Sequence, residues 1–338
     1  MSSWTYSMAG VDLDKHKSMH RFVLSLIESL NKELGFEVSG IGGYTASIKY
    51  SGLNLSLHVD GVGTKTIVLQ KLGKLRVAGW DCVAMNVNDV VCDGAKPIAV
   101  VDYIAMPKAD EEMFKDVVEG VVDAARVARI AVLGGETAIL PDLANGIDVV
   151  CTVLAVRDSG FSNSARIGDV VIGVSSWGLH ANGYSLVRKV LESRNIGYSS
   201  TIDGINLADE LAKSVAIYSN LVRDLIDQRL VTSAAHITGG AFTKLKRVIP
   251  PNANMVLDMP KPPKIFEAIM ELGNISVDEM YRVFNMGVGL VLTAPKENVH
   301  NIESIIRSHK FEFYELGRVV DGSGKAILNT VYGKTIAF

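Results

Sequence analysis

Residues 53–65, Leu-Asn-Leu-Ser-Leu-His-Val-Asp-Gly-Val-Gly-Thr-Lys, constrain this chain more than any other stretch. Leu53, Leu55, Leu57 and Val59 alternate with Asn54, Ser56, His58 and Asp60, the period of a half-buried β-strand. The alternation predicts that the leucines face the core and that Asp60 leaves the sheet on the polar face. Gly61 and Gly63 carry no Cβ, so the backbone there can approach a ligand closely. Thr64 and Lys65 add a hydroxyl and a cation. A carboxylate, bare backbone, a hydroxyl and a lysine at one strand end suit a polyphosphate with its Mg²⁺. The spacing is not that of a Walker A loop. A strand ending in a glycine turn with a surface lysine fits this segment equally well when it is taken alone.

At 338 residues the chain is long enough for two domains. The polar, small-residue-rich stretch Arg157–Gly168 is the expected boundary, giving domains 1–160 and 168–338. Strands and helices alternate on both sides of it. The fold class is therefore α/β (α+β), with two mixed α/β domains. A formal charge of −3 gives no basis for a nucleic-acid or anionic-membrane partner. No apolar run reaches the length of a membrane span, and no signal core opens the chain. Three cysteines without a C-x-x-C pair point to a reducing compartment, and the expected location is the cytoplasm.

Other segments carry chemistry-bearing residues in similar settings. On a helical wheel for Trp80–Asp93, Val83, Ala84, Val87, Val90 and Val91 share the core side. Asp81, Met85, Asn86, Asn88 and Asp89 occupy the other. Short Asn and Asp are poor helix formers, so this side reads as a ligand face rather than a solvated one. Leu133-Gly134-Gly135-Glu136-Thr137 looks like a buried strand ending in glycines, a carboxylate and a hydroxyl. Asp60, Asp89 and Glu136 could then converge on divalent metal; three unrelated surface carboxylates are the alternative. In the second half, 175–184 (with His180 and Asn182) and 236–240 (His-Ile-Thr-Gly-Gly) each join a strand to a helix through small residues. Helix N-termini attract phosphate. A lone histidine is usually structural, but two at two such junctions suggest a site. Residues 280–289, with Asn285, form a dense run before a strand.

Taken in order, Ala9–Asp12, Asp60–Lys65, Asn86–Asp89, Gly134–Thr137, His180–Arg188, His236–Gly240 and Met280–Gly289 closely resemble the aminoimidazole ribonucleotide synthetase (phosphoribosylformylglycinamidine cyclo-ligase) family. The resemblance covers almost the whole chain. It implies a homodimer in which the N-terminal sheet pairs with that of its mate to form a barrel, with a substrate-binding C-terminal domain behind. It also implies ATP-driven ring closure of formylglycinamidine ribonucleotide through phosphorylation of the amide oxygen, in purine biosynthesis. The implied cofactors are ATP and Mg²⁺, with a monovalent cation left open. Matched residue by residue, Asp60, Asp89 and Glu136 would hold the metal. Gly42, Gly43, Gly61, Gly63, Thr64, Lys65, Asn86, Asn88, Gly134, Gly135 and Thr137 would bind ATP. His180, Asn182 and Lys65 would serve catalysis, and His236, Thr238, Gly239, Gly240 and Asn285 would bind substrate.

Two places depart from the family pattern. Gly43-Tyr44-Thr45-Ala46 stands where Gly-Gly-Phe-Gly-Ala is usual, and Ala241 replaces a third glycine after His236–Gly240. Thiamine-monophosphate kinases share the architecture but would lack the His180 and Met280–Gly289 stretches. Selenophosphate synthetases would carry a reactive residue in the N-terminal loop, where this chain has no cysteine. A hydrogenase-maturation dehydratase would end in cysteine, and the large formylglycinamidine ribonucleotide synthetase is far longer. A nucleotide-binding protein without catalysis is the remaining alternative.

Overall fold

The computed structural model describes residues 3–41, 43–157 and 160–338, apart from the side chains of residues 13–22. Gly42, assigned above to the ATP loop, lies outside the described residues. The first half contains α1 (Leu13–Glu33), β1 (Val38–Ser39), β2 (Ala46–Tyr50), β3 (Leu53–Gly61), α2 (Lys65–Leu72), α3 (Arg76–Cys92), β4 (Ala95–Met106), α4 (Glu111–Ala128), β5 (Ala131–Ile139) and β6 (Asp148–Arg157). Its six strands form one sheet in the order β1-β2-β3-β6-β4-β5, antiparallel except for the parallel β4–β5 pair.

Helix α3 packs on the inner face of this sheet and α4 packs on α3. The two helices cross so closely that only glycine fits at the contact. A Cβ on Gly79 would stand 1.9 Å from the Val117 carbonyl oxygen, and one on Gly120 would stand 1.9 Å from that of Arg76. Close crossing drives α3 deep, so that Asp81, Asn86, Asn88 and Asp89 are all buried. Neither side of α3 is therefore a solvated face.

Burial of β3 is the reverse of the expected pattern. Ser56 is fully buried, whereas Leu57 is 65% and Val59 63% exposed. The polar residues point inward because they find partners there, Ser47 of β2 for Ser56 and Asn86 of α3 for His58. Ser56 bonds Ser47 at 2.5 Å, and His58 bonds Asn86 at 2.7 Å. The leucines face the sheet's outer side, together with Val101, Tyr103 and Leu133. Strand β5 also differs from expectation. Gly134 and Gly135 do not end a buried strand; β5 runs through them to Ile139 as an exposed edge.

The second half contains β7 (Val170–Ser175), α5 (Tyr184–Ser193), β8 (Thr201–Ile202), β9 (Ile205–Asn206), α6 (Leu207–Leu211), α7 (Ser219–Asp227), β10 (Ser233–His236), a 3₁₀ turn (Ala241–Arg247), β11 (Ala253–Asp258), α8 (Lys264–Gly273), α9 (Val277–Val283), β12 (Val288–Ala294), α10 (Val299–Ser308), β13 (Phe313–Asp321), β14 (Lys325–Asn329) and β15 (Thr335–Ala337). Seven strands order as β10-β12-β7-β13-β11-β14-β15. The apolar spacing over Ala212–Gln228 predicts a single helix there. Instead the chain is irregular between α6 and α7, because residues 213–218 give their backbone groups to α3 and its neighbours. Val215 N–H donates to Asp81 (2.7 Å) and Tyr218 N–H to Asn88 (2.7 Å). Val215 and Ile217 pack into the hydrophobic core of the first half, so this segment rivets the halves together.

Candidate active site at the seam of the two halves

The seam brings the C-terminal end of α3 against β3 on one side and β10 with its following turn on the other. Asp89 is the centre. Its Oδ1 lies 2.6 Å from His236 Nδ1, and its Oδ2 lies 3.5 Å from His58 Nε2 and 3.7 Å from Lys244 Nζ. Burial alone would raise the pKa of Asp89. The charge of Lys244 and the hydrogen bond from His236 overrule burial and hold the carboxyl well below its usual range. Asp60 behaves oppositely. Burial raises its pKa and the neighbouring Asp89 charge raises it further, while Lys244 and the Gly61 N–H (2.8 Å from Oδ1) offset this in part. Two carboxylates that repel one another in a buried site form an oxygen donor set suited to Mg²⁺, which commonly takes one or two carboxylates and fills the rest of its shell with phosphate and water.

Glu136 does not join them. Across the sheet, Asp60 pairs with Cys151, Cys151 with Asp102, and Asp102 with Gly135. That row faces α3. Glu136 is one residue on, paired with Tyr103 on the outer face, and alternation turns its side chain away from Asp60. No group of three or more His, Cys, Asp or Glu side chains among the described residues stands ready for a metal. Within one chain, Asp60 and Asp89 are neighbours at the seam and Glu136 lies on the opposite face of the sheet. Thr137 follows on the same exposed edge strand. Gly135 is required for another reason: a Cβ there would meet Asp102 Oδ1 at 2.4 Å.

Lys65 is also placed differently from expectation. Its side chain is fully buried, with Nζ 2.5 Å from Asp81, 2.8 Å from the His180 carbonyl and 2.6 Å from the Lys213 carbonyl. Three acceptors use all three N–H bonds of the ammonium, leaving none for a phosphate or a reacting group. Asn88 likewise spends its amide on Ala216 and Tyr218. Asn285 braces two loops, bonding Ser176, Gly178 and Gly287. Asn86 holds His58 in place and donates to the Asp60 carbonyl at 3.2 Å. Gly61 and Gly63 (φ 65°) turn the chain from β3 toward α2, and Thr64 Oγ1 meets Ser185 at 3.0 Å across the seam.

His236 is fully buried beside Asn88 Nδ2 (3.4 Å), which donates to Nε2 and leaves the ring proton on Nδ1, toward Asp89. His180 is buried too. Its Nε2 lies 3.3 Å from Trp177 N–H and 3.4 Å from Ala216 N–H. Two donors at Nε2 put the proton on Nδ1, which has no partner. Burial lowers the pKa of both rings, so both are neutral at pH 7. His180 thus offers an N–H donor rather than a base. Asn182 Oδ1 would lie 3.4 Å from a Cβ on Gly239, which ties the two histidine-bearing junctions to one place. Gly240 (φ 83°) and Ala241 (φ 42°) both adopt the left-handed region, so alanine sits where the family pattern has glycine. Gly43 lies beside Tyr44, whose buried ring faces Lys244 and Arg247 at 5.5 and 4.6 Å.

Sequence reasoning missed His58, Asp102 and Lys244. An Asp inside the apolar run 98–106 was the available signal for Asp102, whose pKa burial raises. An open cavity of about 570 Å³, lined by Arg166, Arg223 and Arg229, shares none of the site residues.

Residues 28–156 match the family model for the N-terminal domain of AIR synthase related proteins, and residues 166–329 match that for the C-terminal domain. The phosphoribosylformylglycinamidine cyclo-ligase of Saccharolobus solfataricus is 41% identical over 328 residues, covering 97% of each chain. That of Thermococcus kodakarensis is 39% identical over 332 residues, covering 96% of this chain and 98% of the relative. Among solved structures, AaThiL complexed with AMPPCP and TMP aligns with a TM-score of 0.64 at 18% identity, over 92% of this chain and 95% of that one, a likeness of fold. With two family models spanning most of its length and full-length relatives at such identity, the chain belongs to the AIR synthase family.

Proposed function

We infer that this chain is an ATP-dependent cyclo-ligase, a ligase that closes formylglycinamidine ribonucleotide to aminoimidazole ribonucleotide with release of ADP and phosphate in purine biosynthesis. The relatives' names supply the substrate. The observation that carries the location is the half-buried Asp60 beside the buried Asp89 at the seam, next to the His236–Ala241 turn. Residues 1–160 serve as the ATP-binding domain and 168–338 as the substrate domain.

The reaction needs a better leaving group than an amide oxygen. That oxygen attacks the γ-phosphorus of ATP, the bond to ADP breaks, and the amide becomes an imidate-type phosphate ester. A substrate nitrogen then attacks the same carbon, phosphate departs with the former amide oxygen, and the nitrogen loses a proton as the ring closes. Mg²⁺, when bound, neutralises phosphate charge as it shifts toward ADP. Asp60 and Asp89 would hold the ion. His236 fixes the orientation of the Asp89 carboxylate, and His58, itself set by Asn86, flanks it. His180 offers its Nδ1 proton to the substrate and Asn182 orients it. Thr238, Gly239 and Gly240 bind the ribonucleotide through the turn. Gly43, Gly61, Gly63 and Thr64 border the nucleotide. Lys65, Asn88 and Asn285 act as braces that fix the seam.

The apolar outer face of the first sheet supports a homodimer in which two such sheets close against each other; Gly134, Glu136 and Thr137 then lie at the subunit boundary. The three cysteines are free and buried, in keeping with a reducing cytoplasm. Among the described residues no helix is long and apolar enough to cross a membrane.

The test is ADP release on incubation with ATP, Mg²⁺ and formylglycinamidine ribonucleotide. Turnover with that substrate and not with thiamine phosphate is expected; the reverse would make the chain a kinase. Asp60→Asn should abolish turnover without unfolding the protein. Near-normal turnover would remove Asp60 from the metal site.

A further inference from the structure

Lys244 lies in the 3₁₀ turn Ala241–Arg247, within a basic run that reads in sequence as solvated surface. Its side chain is only 14% exposed. The ammonium lies 3.7 Å from Asp89 Oδ2, donates to Thr238 Oγ1, and stands 5.5 Å from the centre of the Tyr44 ring. Three elements that are distant in sequence thus direct it to the seam. His236 meets Asp89 as a neutral ring, and the Lys244 ammonium is a permanent formal positive charge within 4 Å of that carboxylate. A divalent ion joining Asp60 to Asp89 would need the side of Asp89 that Lys244 faces. Both cannot be neutralised there at once without repelling each other. A triphosphate entering with the ion brings several negative charges and gives the ammonium another partner.

We propose that Lys244 is the resident counter-ion of the Asp60–Asp89 pair, which weakens divalent-ion binding until nucleotide arrives and then pairs with the nucleotide's phosphate. This rests on the reading of Asp60 and Asp89 as the metal-holding pair. It makes metal and nucleotide binding mutually reinforcing, because each relieves the other's competition for one lysine. The neighbouring charges on Asp89 agree: Lys244 contributes the largest lowering of its pKa, and it opposes the rise at Asp60 as well.

The experiment measures Mn²⁺ binding to the full chain by electron paramagnetic resonance, with and without saturating AMPPCP, and AMPPCP binding by calorimetry. Lys244→Met and Lys244→Gln should bind Mn²⁺ about tenfold more tightly than the parent without nucleotide, and AMPPCP about tenfold more weakly, the effect of one ion pair in a partly buried site. The strengthening of Mn²⁺ binding by AMPPCP should shrink accordingly, and Lys244→Arg should behave as the parent does. Parental affinities for both ligands in the two neutral variants, with unfolding midpoints unchanged, would overturn the proposal. Asp60→Asn separates the two ideas: Mn²⁺ binding should fall in that variant, and an unchanged value would overturn the metal-pair reading itself.

Discussion

Replacing Lys65 by methionine discriminates most sharply between a phosphate lysine and a structural one. Lys65 and Asp81 are both fully buried and 2.5 Å apart. Burial pushes the lysine's pKa down and the aspartate's up, so the cost of taking both charges out of water exceeds what their attraction returns. Such a pair adds little net stability, yet removing one member leaves a buried charge uncompensated, at a cost of about 3–5 kcal/mol. Lys65→Met also strips the donor from the His180 and Lys213 carbonyls, which lie inside the seam. For a chain of this size about 2 °C of midpoint is lost per kcal/mol, so the midpoint should fall by roughly 6–10 °C. Calorimetry reads this directly. Pairing Lys65→Met with Asp81→Leu should recover much of the loss, since a well-packed apolar pair commonly replaces a buried ion pair without penalty. At a temperature where the single variant is folded, ATP turnover should remain measurable. An unchanged midpoint combined with abolished turnover would refute the structural assignment and return Lys65 to the phosphates.

Two further outcomes follow from burial and charge. His180 and His236 have lowered pKa values, so the unfolded chain binds more protons than the folded one once pH drops below the ordinary value of 6.5. Their contribution to stability is present above that pH and lost as pH falls through it, at up to about 1.4 kcal/mol per pH unit for each ring. Asp89, depressed below its ordinary 3.8, gives up its contribution only at lower pH still. Urea unfolding between pH 7 and about pH 5 checks the histidine effect; His180→Asn should roughly halve the slope, and a flat parental profile would refute it. On the outer face of the first sheet, Leu57→Lys together with Leu133→Lys should convert a dimer to monomers by light scattering, whereas a dimer surviving both changes would place the interface elsewhere.

Much of the site was legible because short polar residues are out of place on a helix unless something needs them. Asn86 and Asp89 stood out on that ground, and both reach the seam. The glycine-flanked His236 was legible for a similar reason. Periodicity showed that β3 has two faces but not which of them is covered, because a leucine face reads the same whether its own helix or a second copy lies over it. Asp81 and Asn88 carry the same signal as Asp89, yet they bind backbone of the second half, a partner that no local pattern reveals. Glu136 was misplaced because Gly134 and Gly135 look like a strand's end; one residue of register decided which face it took. A lysine beside a glycine turn suggests phosphate, yet Lys65 turns inward and spends all three N–H bonds inside the seam, on partners distant in sequence.

The chemistry proposed for the seam has one direct readout, the fate of the substrate's amide oxygen. Formylglycinamidine ribonucleotide labelled with a heavy oxygen isotope in its formyl group is turned over by the protein with ATP and Mg²⁺, and the inorganic phosphate is analysed by mass spectrometry. The account predicts that every phosphate released carries one labelled oxygen. Unlabelled phosphate, with the label in water, would contradict it.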